Sequence, residues 1–171
     1  FGSSKYSRRL FEALVPLKMY WGSQASINIA RPENEDLLRL AAKSGCKVLF
    51  VGLESISQSS LNEIGKKVNK PESYEKAIEL FHKYGITVVG AFIFGFDSED
   101  KGVFKRTLDF ARRIKIDIIQ VTVLTPLPGT RLMEKLEREG RIVERGWSRY
   151  DFGEAVFQPK NMSREELEQG A

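Results

Sequence analysis

Residues 88–100 read VVGAFIFGFDSED, a dense apolar run that ends in glycine and acidic residues. Two further segments have the same plan, VLFVGLES at 48–55 and VTVLTPLPGT at 121–130. Apolar runs that are too dense to alternate are typical of strands buried on both faces of a parallel sheet. In parallel β/α folds the carboxyl ends of the strands build the functional site. We therefore expect a parallel sheet whose site lies where these segments end.

A further strand is predicted upstream, where residues 23–29 alternate strictly between apolar and polar side chains. The apolar members would share one face of this strand and the polar members the other. Because the interior of a barrel near its site can be polar, the polar members are candidate ligand contacts. They are Gln24, Ser26 and Asn28.

Helical patterns separate the strands. Amphipathic stripes, acidic first turns and glycine stops indicate helices near residues 3–17, 33–44, 57–64, 71–84, 98–114 and 130–139. Ser163 and Glu166 form a capping-box pattern that opens a last helix. The order of elements predicts an α/β fold in which four parallel strands, near 23–29, 48–53, 87–94 and 118–124, are joined by right-handed helical crossovers.

Length and charge exclude several classes of protein. The chain has 171 residues, enough for one well-buried core. Its 27 basic and 23 acidic residues give a formal charge of +4 without long runs of like charge, so no nucleic-acid partner is favoured. The apolar stretches are shorter than the ~18 residues of a membrane span, and no signal-peptide pattern opens the chain. We expect a soluble, cytoplasmic protein.

The chain contains one cysteine, Cys46, and one histidine, His82. A single thiol excludes an internal disulfide framework and any multi-cysteine metal site built from this chain alone. Cys46 precedes an apolar strand, so packing is its expected role. His82 lies in a predicted helix, where an exposed or hydrogen-bonded imidazole is more common than a catalytic one.

Polar residues at the strand ends form the candidate site. Glu54 and Ser55 end one buried strand, and Gly95 and Asp97 follow the next. Glu54 could accept hydrogen bonds from a ligand hydroxyl or ammonium group, or it could pair with a lysine while Ser55 or Ser57 caps the following helix. Asp97 could contact a ligand or assist the start of the next helix. Position alone leaves both choices open.

Two loops near these ends are also ambiguous. The turn at 125–130 contains two prolines and a glycine. Its rigid backbone could present N–H and C=O groups to the edge of a flat heterocycle, or it could be a stiff connector with Thr130 as helix N-cap. A basic cluster favours a solvated loop, with contact to a substrate phosphate or carboxylate as the alternative. It consists of Lys66, Lys67 and Lys70.

Taken together, SGCKVLFVGLES, GAFIFGFDSED and TPLPGT resemble, in order and spacing, the second half of the core of radical S-adenosylmethionine enzymes. The resemblance runs through nearly the whole chain. It implies an α/β fold that is an incomplete parallel (β/α) barrel, part of a partial TIM-type barrel. It also implies S-adenosylmethionine and a four-iron four-sulfur cluster as cofactors. In this family, reductive cleavage of the cofactor gives a 5'-deoxyadenosyl radical that abstracts hydrogen from substrate.

The same resemblance implies which residues contact S-adenosylmethionine. VGLES resembles the strand end that binds the methionine amino group or the ribose, and FIFGF resembles the motif with Ile93 and Gly95 beside the adenine. LTPLPGT resembles the last strand end, whose backbone would meet the adenine edge. The expected cofactor-binding residues are Gln24, Ser26, Asn28, Glu54, Ser55, Ile93, Gly95, Asp97, Thr125, Pro126 and Leu127.

The chain departs from the family in lacking the CxxxCxxC motif whose three thiolates hold the cluster. Cys46 cannot replace them, so we expect this chain alone to be inactive and the cluster to belong to the parent protein only. We expect residues 1–145 to be the C-terminal portion of the partial barrel, with about two thirds of its strands present. Residues 146–171 would be a connector and the start of a truncated following segment. The expected partner is the missing cluster-bearing N-terminal part of the same chain.

Within the superfamily, these sequence motifs most resemble those of members with an N-terminal cobalamin-binding domain, many of which methylate unactivated carbon or phosphorus centres. The resemblance therefore implies cobalamin in the parent, radical methyltransferase activity and a small-molecule or lipid substrate. An unpaired edge beside residues 23–29 predicts self-association. Two alternatives stay open: a non-catalytic β/α module that binds a nucleoside-like ligand, and a metal-dependent barrel aldolase or hydrolase, which a single histidine disfavours.

Overall fold

Four parallel strands form one sheet in chain order, which confirms the predicted strand number, direction and sequence. The structure is a computed structural model that describes residues 4–171. The predicted strand at 87–94 is confirmed without change. The strands are β1 (Trp21–Ala25), β2 (Cys46–Glu54), β3 (Thr87–Phe94) and β4 (Ile118–Val123).

Helices connect and flank these strands. The α-helices are α1 (Ser4–Leu14), α2 (Glu35–Lys43), α3 (Gln58–Glu63), α4 (Tyr74–Lys83), α5 (Val103–Arg113), α6 (Arg131–Arg138) and α7 (Arg164–Gly170). Short 3₁₀ turns lie at Val15–Leu17, Ile27–Ala30, Pro32–Asn34, Pro71–Ser73 and Trp147–Arg149. The predicted start of the first helix, Ser3, lies outside the described residues. Across residues 4–171 no helix is long and apolar enough to cross a membrane.

One face of the sheet carries helices, and the other is open within the described residues. Along β2, Leu49 and Leu53 are fully buried and join a cluster with α1, α2 and α4. Phe50 and Gly52, on the opposite face, are only half-buried. The expectation that these strands are buried on both faces was therefore wrong for the part of the chain that the structure describes. Their apolar density reflects an open face that is itself partly apolar.

A second apolar cluster joins the ends of β3 and β4 to the last part of the chain. Phe94 and Val123 pack with Phe157 and Leu167, and all four are buried. Burying side chains of this size contributes roughly 1.5–3 kcal/mol each. Residues before and after position 145 thus share one core. The division into 1–145 and 146–171 stays a prediction, and the later segment packs as part of the fold rather than as a bare connector.

Two element boundaries differ from the prediction by four or more residues. The strand expected at 23–29 stops at Ala25, because Ser26 caps a 3₁₀ turn and its hydroxyl accepts from the Asn28 amide at 3.4 Å. A serine that bonds nearby backbone competes with the strand ladder. The helix expected from residue 98 begins at Val103, because the Asp100 carboxylate accepts from the Gly102 amide at 2.7 Å and stabilises a turn instead.

The two outer edges of the sheet differ. β1 has a free edge within the described residues. Large apolar side chains beside it are exposed, and Tyr20 is 79% accessible to solvent. At the other edge, the Val123 amide donates to the Phe152 carbonyl at 2.7 Å. The segment after α6 therefore covers the carboxyl end of β4.

Candidate functional site

A cleft of about 400 Å³ opens on the uncovered face of the sheet, at the carboxyl ends of β1 and β2. Gly52 of β2 is paired with Ala91 of β3. Because glycine has no Cβ and alanine has only a methyl group, these two residues leave space in the cleft. The cleft brings together three of the predicted site residues, which are Gln24, Ser26 and Glu54. The complete lining is Gln24, Ala25, Ser26, Phe50, Gly52, Glu54, Lys66, Val68, Asn69 and Ala91.

Glu54 supplies the negative charge of the cleft, and Lys66 pairs with it. Lys66 Nζ lies 3.0 Å from Glu54 Oε1, and the Glu54 side chain is 13% exposed. The expected pairing of Glu54 with a lysine is therefore confirmed, and its expected contact with a ligand stays a prediction for a residue that faces a cleft. Lys66 is exposed and also lines the cleft, and the contact with a substrate phosphate or carboxylate considered for the basic cluster stays a prediction.

The backbone at Glu54 is strained. Its φ is +67°, and the amide of Ser55 donates to the Leu53 carbonyl at 2.9 Å, which closes a γ-turn around Glu54. Turns of this kind with positive φ are rare, and such a backbone costs about 1–3 kcal/mol in a residue other than glycine. The pairing of β2 with β3 also shifts register between Gly52 and Glu54. The surrounding structure must therefore hold Glu54 in place.

Ser55 does not line this cleft, because it is buried against a carboxylate that was not predicted. Its hydroxyl donates to Glu99 Oε1 at 3.3 Å. Glu99 Oε2 accepts from the amides of Gly95 and Phe96 at 3.0 and 3.2 Å. Burial raises the pKa of Glu99, against the opposing effect of these hydrogen bonds. Glu99 thus links the ends of β2 and β3 by hydrogen bonds. The feature of the sequence that could have indicated this role is an acidic residue shortly after Gly95.

Gly95 is required by its backbone, since its φ is +112°. A Cβ at this position would lie 3.0 Å from Leu167 Cδ2 and 3.2 Å from Phe157 Cζ. Gly95 therefore contacts the second apolar cluster. Ile93 is half-buried on the less covered side of β3 and is paired with Thr122 of β4. The adenine contacts expected of Gly95 and Ile93 stay predictions.

Asp97 lies in a cluster of cations away from the cleft lining. Its carboxylate is 2.6 Å from Lys135 Nζ, 2.8 Å from Arg141 Nη1 and 3.1 Å from Lys160 Nζ. Burial alone would raise the pKa of Asp97, but the hydrogen bonds from these cations outweigh it and lower the pKa to about 2. Asp97 anchors the end of β3 to the segment after α6. Its expected cofactor contact stays a prediction, and the ion pairs supply a structural role.

The turn after β4 is held by its own side chains. Thr125 Oγ1 donates to the backbone of the strand at 3.0 Å, Pro126 is buried and Leu127 is exposed. The Thr130 hydroxyl accepts from the Met133 amide at 3.3 Å, so its predicted N-cap role is confirmed. The proposed meeting of this backbone with the adenine edge stays a prediction.

Asn28 is separated from Gln24 and Ser26, because β1 ends at Ala25 and the alternation does not continue. It lines a neighbouring cavity of about 480 Å³, between the 3₁₀ turn and α4. Its Oδ1 is buried without a hydrogen-bond partner in residues 4–171. The grouping of these three polar residues on one strand face was therefore wrong, and the cofactor contact of Asn28 stays a prediction.

The residues of the cleft fit an amino-acid ligand. An ammonium group can donate to Glu54 and a carboxylate can accept from Lys66, so the adjacent opposite charges match the two ends of a methionine-like zwitterion. The residues do not fit an iron–sulfur cluster. Cys46 lies at the amino end of β2, whereas Glu54 lies at its carboxyl end. Burial raises the pKa of the Cys46 thiol to about 12, which disfavours a thiolate ligand.

A protein-family model described as the Radical SAM superfamily matches residues 21–111, from β1 into α5. The chain belongs to the radical SAM superfamily. Membership confirms the predicted family and implies S-adenosylmethionine and a four-iron four-sulfur cluster as the cofactors of the family.

Curated relatives include methyltransferases and a cyclase. Bacteriochlorophyllide d C-12(1)-methyltransferase of Chlorobaculum tepidum is 34% identical over 95% of this chain and 35% of its own length. Anaerobic magnesium-protoporphyrin IX monomethyl ester cyclase of Cereibacter sphaeroides is 28% identical over 91% of this chain and 25% of its own length. The chain thus spans about a third or less of the length of these relatives.

A solved structure supports the fold. The radical S-adenosylmethionine methyltransferase TsrM of Kitasatospora setae, with cobalamin and a 4Fe–4S cluster bound, superposes with a TM-score of 0.66. The match covers 85% of this chain and 29% of TsrM at 17% identity, so it shows the fold alone. The predicted α/β class, with parallel strands and helical crossovers from a TIM-type barrel, is confirmed.

Proposed function

We propose that this chain binds S-adenosylmethionine within a radical SAM enzyme that modifies a tetrapyrrole, most simply by methylation. The observation that carries the proposal is the Glu54–Lys66 pair in a cleft on the open face of the sheet, at the strand ends. The names of the two relatives, one a bacteriochlorophyllide methyltransferase and the other a magnesium-protoporphyrin cyclase, support a large flat ring as substrate.

In this proposal the chain orients the cofactor by its amino-acid end. Glu54 accepts hydrogen bonds from the ammonium group, Lys66 donates to the carboxylate, and Gln24 and Ser26 supply further polar contacts from β1 and the residue after it. Each charge-assisted hydrogen bond of this kind is worth roughly 1.5–3 kcal/mol. When bound, S-adenosylmethionine supplies the methyl or 5'-deoxyadenosyl group. The residues of the chain hold the cofactor against the open face of the sheet.

We further propose that the chain is part of a longer parent protein that carries the cluster. Its one cysteine does not fit a cluster site, and its relatives are about three times its length or more. An N-terminal part of the parent would supply the thiolates, and the free edge of β1 is the place where further strands can pair. The cobalamin in TsrM supports cobalamin in the parent as well. A cytoplasmic location and the lack of a nucleic-acid partner stay predictions from sequence.

Isothermal titration of the chain with S-adenosylmethionine tests the cofactor site. Lys66→Met is expected to weaken binding roughly tenfold or more, since it removes one charge-assisted hydrogen bond. Lys67→Met is the matched control, because Lys67 is the adjacent lysine and does not line the cleft. Glu54→Gln and Glu79→Gln form a second pair, with Glu79 exposed on α4. Equal affinities for Lys66→Met and Lys67→Met would contradict the assignment.

A second experiment tests the need for the parent. Anaerobic reconstitution of the chain with iron and sulfide, followed by S-adenosylmethionine and a reductant, is expected to release no 5'-deoxyadenosine. The protein encoded together with its upstream sequence is expected to release it. Cleavage by the chain alone would contradict the division of roles proposed here, because its single buried thiol would then have to support the chemistry.

A further inference from the structure

The carbonyl oxygen of Leu53 accepts from three donors. They are the Ser55 amide at 2.9 Å, Asn69 Nδ2 at 3.1 Å and the Tyr74 hydroxyl at 2.8 Å. Asn69 Nδ2 also lies 3.0 Å from the Gly52 carbonyl. A backbone carbonyl has two lone pairs and usually accepts one hydrogen bond in a strand ladder, so this oxygen is unusually crowded with donors.

These donors stand where β2 loses its pairing with β1, while its pairing with β3 continues to Glu54. β1 pairs with β2 only as far as Ala25 and Val51, so the Leu53 carbonyl lies beyond the last pair. Side chains from the loop after α3 and from the start of α4 replace the missing strand as donors. The Leu53 carbonyl is then hydrogen-bonded although β1 has ended, and a buried carbonyl without a partner would be costly.

Both donor side chains are held firmly by burial. Asn69 is 2% exposed and Tyr74 is fully buried, and the Tyr74 ring packs edge-on against Phe110 with ring centroids 6.3 Å apart. Buried polar groups of this kind have few alternative partners, so they fix the position of the atom that they contact.

The fixed carbonyl determines where the Glu54 side chain goes. With Leu53 held, the γ-turn directs Glu54 back over the strand toward Lys66. The carboxylate lies so close to β2 that a Cβ on Gly52 would be 2.6 Å from Glu54 Oε1. The carboxylate is therefore placed over a glycine, beside Lys66, and not extended into solvent.

We propose that Asn69 and Tyr74 are positioning residues, which clamp the Leu53 carbonyl so that the Glu54 carboxylate already points into the cleft before a ligand arrives. The nature of that ligand, the amino-acid end of S-adenosylmethionine, rests on the proposed function. Groups that are placed in advance avoid the ordering cost of binding, so Tyr74, which does not line the cleft, raises affinity without touching the ligand.

A double-mutant cycle tests this clamp. Tyr74→Phe removes only the hydroxyl and keeps the ring contact with Phe110. S-adenosylmethionine affinity is measured for Tyr74→Phe alone, for Glu54→Gln alone and for the two together. Because one hydrogen bond is lost, Tyr74→Phe is expected to weaken binding roughly three- to tenfold in the wild-type background. It is expected to have little further effect once Glu54 is Gln.

Ser73→Ala is the matched control. Ser73 precedes Tyr74, and its hydroxyl donates to the Lys70 carbonyl at 2.7 Å, so the variant removes a hydrogen bond from the same loop without touching β2. Its affinity should match the wild type. Equal losses from Tyr74→Phe in both backgrounds would show general destabilisation and overturn the proposal, as would no loss in either.

Hydrogen exchange gives a readout that needs no ligand. Tyr74→Phe and Asn69→Leu are expected to speed exchange of the Ser55 amide, which closes the γ-turn, and Ser73→Ala is not. If the wild-type chain binds no S-adenosylmethionine, the proposed function fails, and exchange at Ser55 alone decides on the clamp. Unchanged exchange in both variants would overturn it.

Discussion

Asp97→Asn is expected to destabilise the chain, because the Asp97 carboxylate neutralises the cations that meet at the end of β3. The substitution keeps the shape of the side chain and the backbone contacts, and it removes the charge. The pKa of Asp97 is lowered from 3.8 to about 2, which corresponds to about 2 kcal/mol of stabilisation at neutral pH. Arg141, whose side chain is only 11% exposed, would lose one of its two carboxylate partners and keep Glu139 at 2.8 Å, so the total loss is expected to be about 2–3 kcal/mol.

The effect should depend on pH in a defined direction. The pKa of Asp97 in the folded chain lies below its value in the unfolded chain, so the stabilisation is complete above about pH 4. It is lost as the pH falls toward about 2, where the carboxyl group of the wild type is protonated. Urea unfolding followed by tryptophan fluorescence at pH 7 and near pH 2 measures the free energy of unfolding of both chains.

The difference between wild type and Asp97→Asn is the quantity that matters, since other carboxyl groups titrate in both chains. That difference should be large at pH 7 and should shrink near pH 2. Asp100→Asn is the control, because Asn keeps an oxygen that can accept from the Gly102 amide, and the lost pairing with Arg106 is an exposed ion pair of little worth. Equal stabilities at pH 7, or a difference that does not change with pH, would refute the reasoning.

Two further predictions concern the backbone at β3 and the edge at β1. Gly95→Ala is expected to cost at least about 1–3 kcal/mol of unfolding free energy, because the φ of Gly95 is positive. It should cost more than Gly129→Ala, since Gly129 also has positive φ but no atoms within 4 Å of an added Cβ. Equal drops in melting temperature for the two variants would contradict this. The chain is expected to self-associate through the free edge of β1, and Tyr20→Lys should lower the apparent mass in light scattering; a monodisperse wild-type monomer at high concentration would contradict it.

The sheet was predictable from sequence because its strands are apolar on the face that helices cover and partly apolar on the open face, which gives dense apolar runs. The segments that became β2 and β3 carry this signal over most of their length, and β4 carries it apart from Gln120 and Thr122. Gly65 and Gly85 mark the ends of α3 and α4. β1 was harder, because its alternating pattern continues past Ala25 while Ser26 turns the chain away. A local hydrogen bond overrode the periodicity there, and no pattern of apolar residues reveals such a bond.

The site was predictable only in part. Glu54 follows from its position at the end of a buried strand, but the side chains that surround it come from distant positions. Lys66 and Asn69 lie in a loop without periodicity, and Tyr74 looks like one more member of an apolar helix stripe. Glu99 similarly looks like an ordinary acidic residue near a helix start. Their roles depend on which backbone groups folding brings to them, and those pairings are long-range.

The contrast between the two outer edges of the sheet means that further strands can pair at one edge and not at the carboxyl end of the other. The carboxyl end of β4 is covered, since the Val123 amide is bonded to Phe152, whereas the edge of β1 remains open in the described residues. Strands that come before β1 in the proposed parent would leave the ribosome first. The edge with which they pair, that of β1, would be fixed only after β2 had been synthesised and had paired with β1. Those early strands would have to wait unpaired during synthesis, which exposes the parent to misassembly in that interval.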